Sequence, residues 1–526
     1  MASVLDLARI NDSGDLAGGV GDIAAAVGPN AMLVTAVRTE ERTLKLITWR
    51  LNAAGPVTRL GDSGAAAGVA SDLAIAVGAL YVVACRTSDG KLKLISWEID
   101  ATGSAITRRG DSGGAAGEAT LIDLVSLSPS LFVTACRTAA GDLKLISWRL
   151  NRDGSLTRLH DSGGAAGRVS EIALCKLASN RVATAVRDAD GDLKVITWAV
   201  SSAGELARLG DTGNAAGRAT RIRCVVDTAG RLITSVRDAD GDLKLISWRV
   251  SSDGRAIARL GDTGDQAGDI GDNSLVALSD GVVSGVRAGN GSLKLIAWRV
   301  DGNGAFTRRG DSAAQAGVAS QIQLVAGPGV PDAAGHSVTL ATALRTAAGR
   351  LKIITWGPPV VRLHVKVLVE PATFTRAEML QGMRDVFASV GFGVEVASVE
   401  TLDLPPLETV DVGDCAGETT TEQERLFANR NNVGPDDIVA YFVRATTPPL
   451  NGCATSPAGR PSVIVVRTAS RWTLGHEIGH VLGLRHVNDR NRLMTGGGTS
   501  NITNPPPDLV PAEQSTMIDS RLSVPA

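Results

Sequence analysis

Short runs of alternating apolar and polar residues fill the first two thirds of the chain, and one of them returns almost unchanged. The phrase LKLITW or a close variant occupies 44–49, 92–97, 143–148, 193–198, 243–248, 293–298 and 351–356. Its closing tryptophans lie 48, 51, 50, 50, 50 and 58 residues apart. A fixed period of this length marks a repeat architecture. Two further features travel with it. An aspartate in a GDSG-like phrase recurs as Asp12, Asp62, Asp111, Asp161, Asp211, Asp262 and Asp311. An arginine closes a valine-rich run as Arg38, Arg86, Arg137, Arg187, Arg237, Arg287 and Arg345.

In the second copy four strand-like runs cover 72–77, 80–86, 91–99 and 105–109, with turns such as Ser88-Asp89-Gly90 between them. Four strands per ~50 residues is the blade of a β-propeller. Residues 1–357 therefore predict an all-β, seven-bladed propeller. After Trp356 the GDSG-bearing strand is missing, while a surplus copy stands at 5–14. That N-terminal strand is expected to complete the seventh blade, because ring closure removes exposed edges.

Each repeat also places a lysine inside its apolar strand: Lys45, Lys93, Lys144, Lys194, Lys244, Lys294 and Lys352. Burying a lone charge is costly, so the repeated aspartates are expected to tie these lysines within each blade. A sharper reading makes them equivalent ligand pockets, for example for glycans. The tryptophans read as inter-blade core in preference to sugar platforms. The Asp-rich stretches 188–192 and 238–242 resemble the start of a calcium loop but lack the glutamate at its twelfth position. They read as hairpin turns.

Beyond 357 the pattern changes, and proline rises from five residues in 1–357 to fifteen in 358–526. Residues 360–370 alternate and are rich in β-branched side chains, which predicts a strand. Residues 375–390 show helical spacing, with Thr375 as N-cap and Glu378 completing a capping box. Strands are expected at 394–401, 437–445 and 461–468, and a closing helix at 509–522 with Pro511 in its first turn. This mixture predicts an α/β (α+β) domain over 358–526.

The chemistry concentrates in 476–486. His476, Glu477, His480, Gly483 and His486 spell H-E-x-x-H-x-x-G-x-x-H, using three of the chain's six histidines. Histidines four apart share a helix face. Glycine lets the chain leave the helix sharply, so His486 can return as a third ligand. Three imidazoles with one open position form the catalytic kind of zinc site. Glu477 is then placed as general base for peptide hydrolysis.

On these residues the chain resembles the metzincin zinc peptidases. Met494, eight residues after His486, resembles their methionine turn at matrixin-like spacing. Val487 stands where matrixins usually carry serine, and Gly496 leaves no tyrosine as an extra ligand. The resemblance implies a Zn2+-dependent endopeptidase acting on protein or peptide substrates. It also implies that the strand at 461–468 lies at a sheet edge and pairs with extended substrate.

Composition narrows the partners. The 526 residues carry a formal charge of −2 with no long basic block, which argues against nucleic acid. No apolar run is long enough to span a bilayer. The start MASVLDLARIND shows no signal peptide, yet an extracellular, secreted setting is expected. Cys415 and Cys453, the only cysteines of the second domain, are candidates for a disulfide. Cys85 and Cys136 occupy equivalent repeat positions and read as buried thiols. The propeller is expected to bind substrate, a glycan or a protein partner. The alternative is a binding propeller joined to a catalytically silent peptidase-like domain.

Overall fold

A computed structural model describes the chain except for residues 1–6, 15, 53–55, 65, 214, 280, 313–315, 329–337, 358, 416–417, 436, 456–458, 521, 523 and 526. Two compact units emerge, Ser3–Gly329 with Val338–Trp356, and Gly357–Ala526. Strands dominate the chain. The four α-helices among the described residues all fall in the second unit.

Seven four-stranded sheets make the first unit a seven-bladed β-propeller. The second blade is typical. Ala70–Val77, Tyr81–Thr87, Leu92–Ile99 and Ile106–Asp111 pair in succession, all antiparallel. The seventh blade takes Ala319–Ala326, Leu340–Thr346 and Leu351–Gly357 from the end of the unit and Ala8–Asp12 from its start. The Ser13 N–H donates to the Ile353 carbonyl at 2.9 Å, and the Ile353 N–H donates to Ser13 Oγ at 3.0 Å. Residues 5 and 6 of the surplus copy lie outside the described residues.

The repeated residues hold the blades. All seven repeat tryptophans are fully buried, so they are core and not sugar platforms. Trp148 Nε1 donates to Thr134 Oγ1 at 3.0 Å, and the same bond recurs at Trp49, Trp198, Trp248, Trp298 and Trp356. The repeated aspartates are engaged inside the protein, as Asp111 illustrates. Its carboxylate receives Arg108, lies 3.2 Å from Lys93 Nζ, and accepts the Gly113 N–H at 2.6 Å. Arg108 also reaches the Ala66 carbonyl in the preceding blade at 3.1 Å. Carboxylates committed in this way do not make equivalent ligand pockets.

The lysine ties vary by blade. Lys93, Lys144, Lys294 and Lys352 meet the repeated aspartates at 3.2–3.9 Å. Lys194 and Lys244 turn instead to Asp188 and Asp238 in the hairpins, both at 3.1 Å. Asp188 Oδ1 also accepts the N–H groups of Asp190 and Asp192, so this stretch is a hairpin turn. Cys85 and Cys136 are buried, and burial pushes their thiols up to about 12 and about 11.

The second unit is built mainly on one sheet, and Thr409–Asp411 and Ala445–Thr447 form a separate parallel pair. In order across it lie Gly393–Thr401, Pro359–Val367, Ile438–Val443, Ser462–Val466 and Gly452–Thr455. The first four are parallel and the last is antiparallel. Ser462–Val466 is therefore an interior strand, not the edge expected for 461–468. Its SVIVV run is buried at every position, as suits a strand covered on both faces. The edge is Gly452–Thr455.

Helix α1 (Arg376–Ala388) begins on the Thr375–Glu378 capping box and buries Met379, Met383, Val386 and Phe387. Three shorter helices follow: α2 (Thr421–Phe427), α3 (Thr473–Val481) and α4 (Pro511–Asp519). Cys415 and Cys453 are joined in a disulfide, which anchors the edge strand that contains Cys453.

Candidate metal centre

Helix α3 carries His476, Glu477 and His480, and every residue from Thr473 to Gly479 is buried. The helix ends at Val481 with Leu482 as its C-cap, and Gly483 follows with φ +95°. Its N–H closes onto the His480 carbonyl at 2.9 Å, and the Leu484 N–H onto the Gly479 carbonyl at 2.9 Å. A residue with a Cβ is strained in this left-handed conformation. The sharp exit turns the chain so that His486 comes back over the helix.

The three Nε2 atoms converge. His476 and His486 are 3.1 Å apart, His480 and His476 3.2 Å, and His480 and His486 3.0 Å. His476 Nδ1 lies 2.7 Å from the Leu493 carbonyl, and His480 Nδ1 lies 2.9 Å from the Leu484 carbonyl. Carbonyls only accept, so both Nδ1 atoms carry the proton and both Nε2 atoms present lone pairs. Lone pairs facing one another about 3 Å apart repel unless a cation lies between them. Three such nitrogens, each presenting a lone pair to one point, form a donor set that would suit a zinc ion. Among the described residues this is the one His/Cys/Asp/Glu group of three so assembled.

Electrostatics agree with ligation by neutral imidazoles. Burial lowers His476 to about 4, with His480 and His486 adding smaller effects in the same direction. His480 is also lowered, chiefly by burial. Burial pushes Glu477 up to about 8. The Glu477 side chain lines a pocket of about 460 Å³ together with His476, His486, Gly452, Thr473 and Thr499.

Met494 is fully buried beneath the helix. The Val487 N–H donates to its carbonyl at 2.8 Å, and the Gly496 N–H donates to the Val487 carbonyl at 3.0 Å, closing the turn. Two glycines matter here that the motif alone does not single out. A Cβ at Gly479 would stand 2.6 Å from Met494 Sδ, and one at Gly452 would stand 2.5 Å from Glu477 Oε1. Gly479 occupies a free position of the spacing pattern, and Gly452 is distant in sequence, so only the fold shows their role.

No protein-family profile matches the chain, and no curated protein matches its sequence. Solved structures do. Sqt1 of Saccharomyces cerevisiae is 12% identical, with 67% of this chain and 100% of that chain covered at a TM-score of 0.42. Sqt1 of Chaetomium thermophilum is 13% identical, with 67% and 85% covered at a TM-score of 0.42.

Proposed function

We propose that the second unit is a zinc-dependent endopeptidase of metzincin type. One observation carries the reading: three imidazole nitrogens converge to within 3.2 Å beside a buried carboxylate in an open pocket. His476, His480 and His486 would hold the ion, with the Leu493 and Leu484 carbonyls fixing two of the rings. Zinc in such a site supplies a charge that acidifies water and polarises a carbonyl group. Glu477 takes the proton from the attacking water and delivers it to the leaving amine. The edge strand Gly452–Thr455 passes directly over Glu477 and offers free backbone groups to an extended peptide. The disulfide suits an oxidising, extracellular setting.

The test is cleavage of a denatured protein by the full chain, with and without chelator, alongside its metal content. Chelator-sensitive cleavage with bound zinc supports the reading. Bound zinc without cleavage supports a second one, in which the propeller binds a glycan or protein ligand and the peptidase-like unit is silent. That second reading is favoured by the size of the propeller and by its polar axial channel of about 640 Å³.

A further inference from the structure

The seven repeats act as an internal comparison. Tryptophan, lysine, aspartate and arginine return at fixed places because each blade needs them. One position does not follow this rule. Every innermost strand has a register shift near its start, and the residue there faces the channel. Successive blades carry Asp22, Asp72, Leu121, Glu171, Arg221, Asp272 and Gln321, all lining the same cavity of about 640 Å³. Bulges commonly re-aim a side chain. At Asp72, Leu121, Arg221 and Gln321 the backbone is held left-handed, with φ of 50°, 53°, 55° and 54°. A channel wall that differs from blade to blade suits one asymmetric ligand per ring, not seven equivalent ones.

Most charges on this wall are already spent. Asp22 faces Arg38 Nε at 2.9 Å. Glu171 accepts the Ile222 N–H at 3.0 Å, and Asp123 accepts the N–H groups of Leu124 and Leu174 at 2.8 and 2.7 Å. Arg223 donates to the Ile222 carbonyl at 2.9 Å and lies 4.0 Å from Asp272. Asp72 and Arg221 have no hydrogen bond or ion pair among the described residues. They stand on the second and fifth of seven blades, hence across the axis from each other. Burial, and then the neighbouring Asp22, raise the Asp72 carboxyl above its usual range, with Arg86 and Arg38 pulling the other way.

We propose that the axial channel binds a zwitterion of the amino-acid or short-peptide kind, its ammonium on Asp72 and its carboxylate on Arg221. The inference deepens the binding reading of the propeller and is independent of the zinc site. The bonds at both ends are charge-assisted, so losing either should weaken binding about 10- to 100-fold.

The experiment is calorimetric titration of the zinc-free full chain with glycine, diglycine and triglycine. N-acetyl-triglycine and triglycinamide serve as controls that each lack one charge. Saturable binding of a free-ended member, at least tenfold weaker for both blocked peptides, is expected. Asp72→Asn and Arg221→Gln should each reproduce that loss with an unchanged melting profile. The blocked peptides test the idea on the native chain even if a variant fails to fold. No binding of any free-ended member overturns the proposal, and so does equal binding of the blocked forms. Failure of zinc loading or of peptide cleavage leaves this result unaffected.

Discussion

Trp97 is the one repeat tryptophan whose buried Nε1 finds no acceptor. Six blades supply a hydroxyl at the facing position, from Thr35, Thr134, Thr184, Thr234, Ser284 and Thr342, at 2.8–3.0 Å. The second blade has Val83 there, opposite Ile95 in the register that places Thr35 opposite Ile47. Val83→Thr should restore the bond. An orphaned buried N–H costs about 1–3 kcal/mol, while exchanging a buried methyl for a hydroxyl forfeits about 0.8 kcal/mol. The new hydroxyl can donate to the Ile95 carbonyl, as Thr134 Oγ1 does to that of Ile146 at 3.4 Å. The net expectation is a gain of about 1 kcal/mol. Thr134→Val makes the reverse change in the third blade and should cost about 1 kcal/mol net, the orphaned N–H less the buried methyl gained. Chemical denaturation of both variants, followed by tryptophan fluorescence, measures the two effects. A destabilised Val83→Thr together with an unaffected Thr134→Val would refute the claim that this bond supports each blade.

Three further outcomes are expected. Glu477→Gln should lower peptide cleavage by about 10²–10⁴-fold while zinc content, read by elemental analysis, stays unchanged; near-normal turnover would remove Glu477 from its role. Deleting residues 1–14 should lower the propeller's stability by about 3–6 kcal/mol, from the lost burial of Ile10 and the lost bonds to Ile353 and Thr355. Light scattering should then show association through the bared Leu351–Gly357 edge, and an unchanged monomer would refute it. Gly479→Ala, whose Cβ would meet Met494 Sδ at 2.6 Å, should cost about 1–3 kcal/mol and loosen zinc binding, both measurable by chelator competition and melting.

What could be read from the chain depended on how local the cause was. The blades were legible because each repeat carries its own strands and turns, and the count of GDSG copies pointed to the first strand as the closing one. The histidine cluster was legible because ligand spacing on a helix is set by 3.6 residues per turn. The edge expected for 461–468 rests on the resemblance alone, whereas strand order depends on what pairs beyond a strand, and Gly452–Thr455 takes that side here. The burial of every residue in Ser462–Val466 follows from an apolar run without alternation, the pattern of a strand covered on both faces. The arginines three residues before the repeated aspartates, such as Arg108 and Arg158, recur in the sequence too. Their reach to the preceding blade, 3.1 Å to Ala66 and 3.0 Å to Ala115, becomes visible only in the closed ring. Gly452 and the channel-facing residues owe their places to contacts between distant segments.

Elemental analysis of the purified full chain, expressed in zinc-replete medium and dialysed free of loose metal, tests the central claim most directly. One zinc per chain, lost in His480→Ala, is the predicted result. A chain with all three histidines intact and no zinc, or one whose zinc survives His480→Ala, would contradict the account.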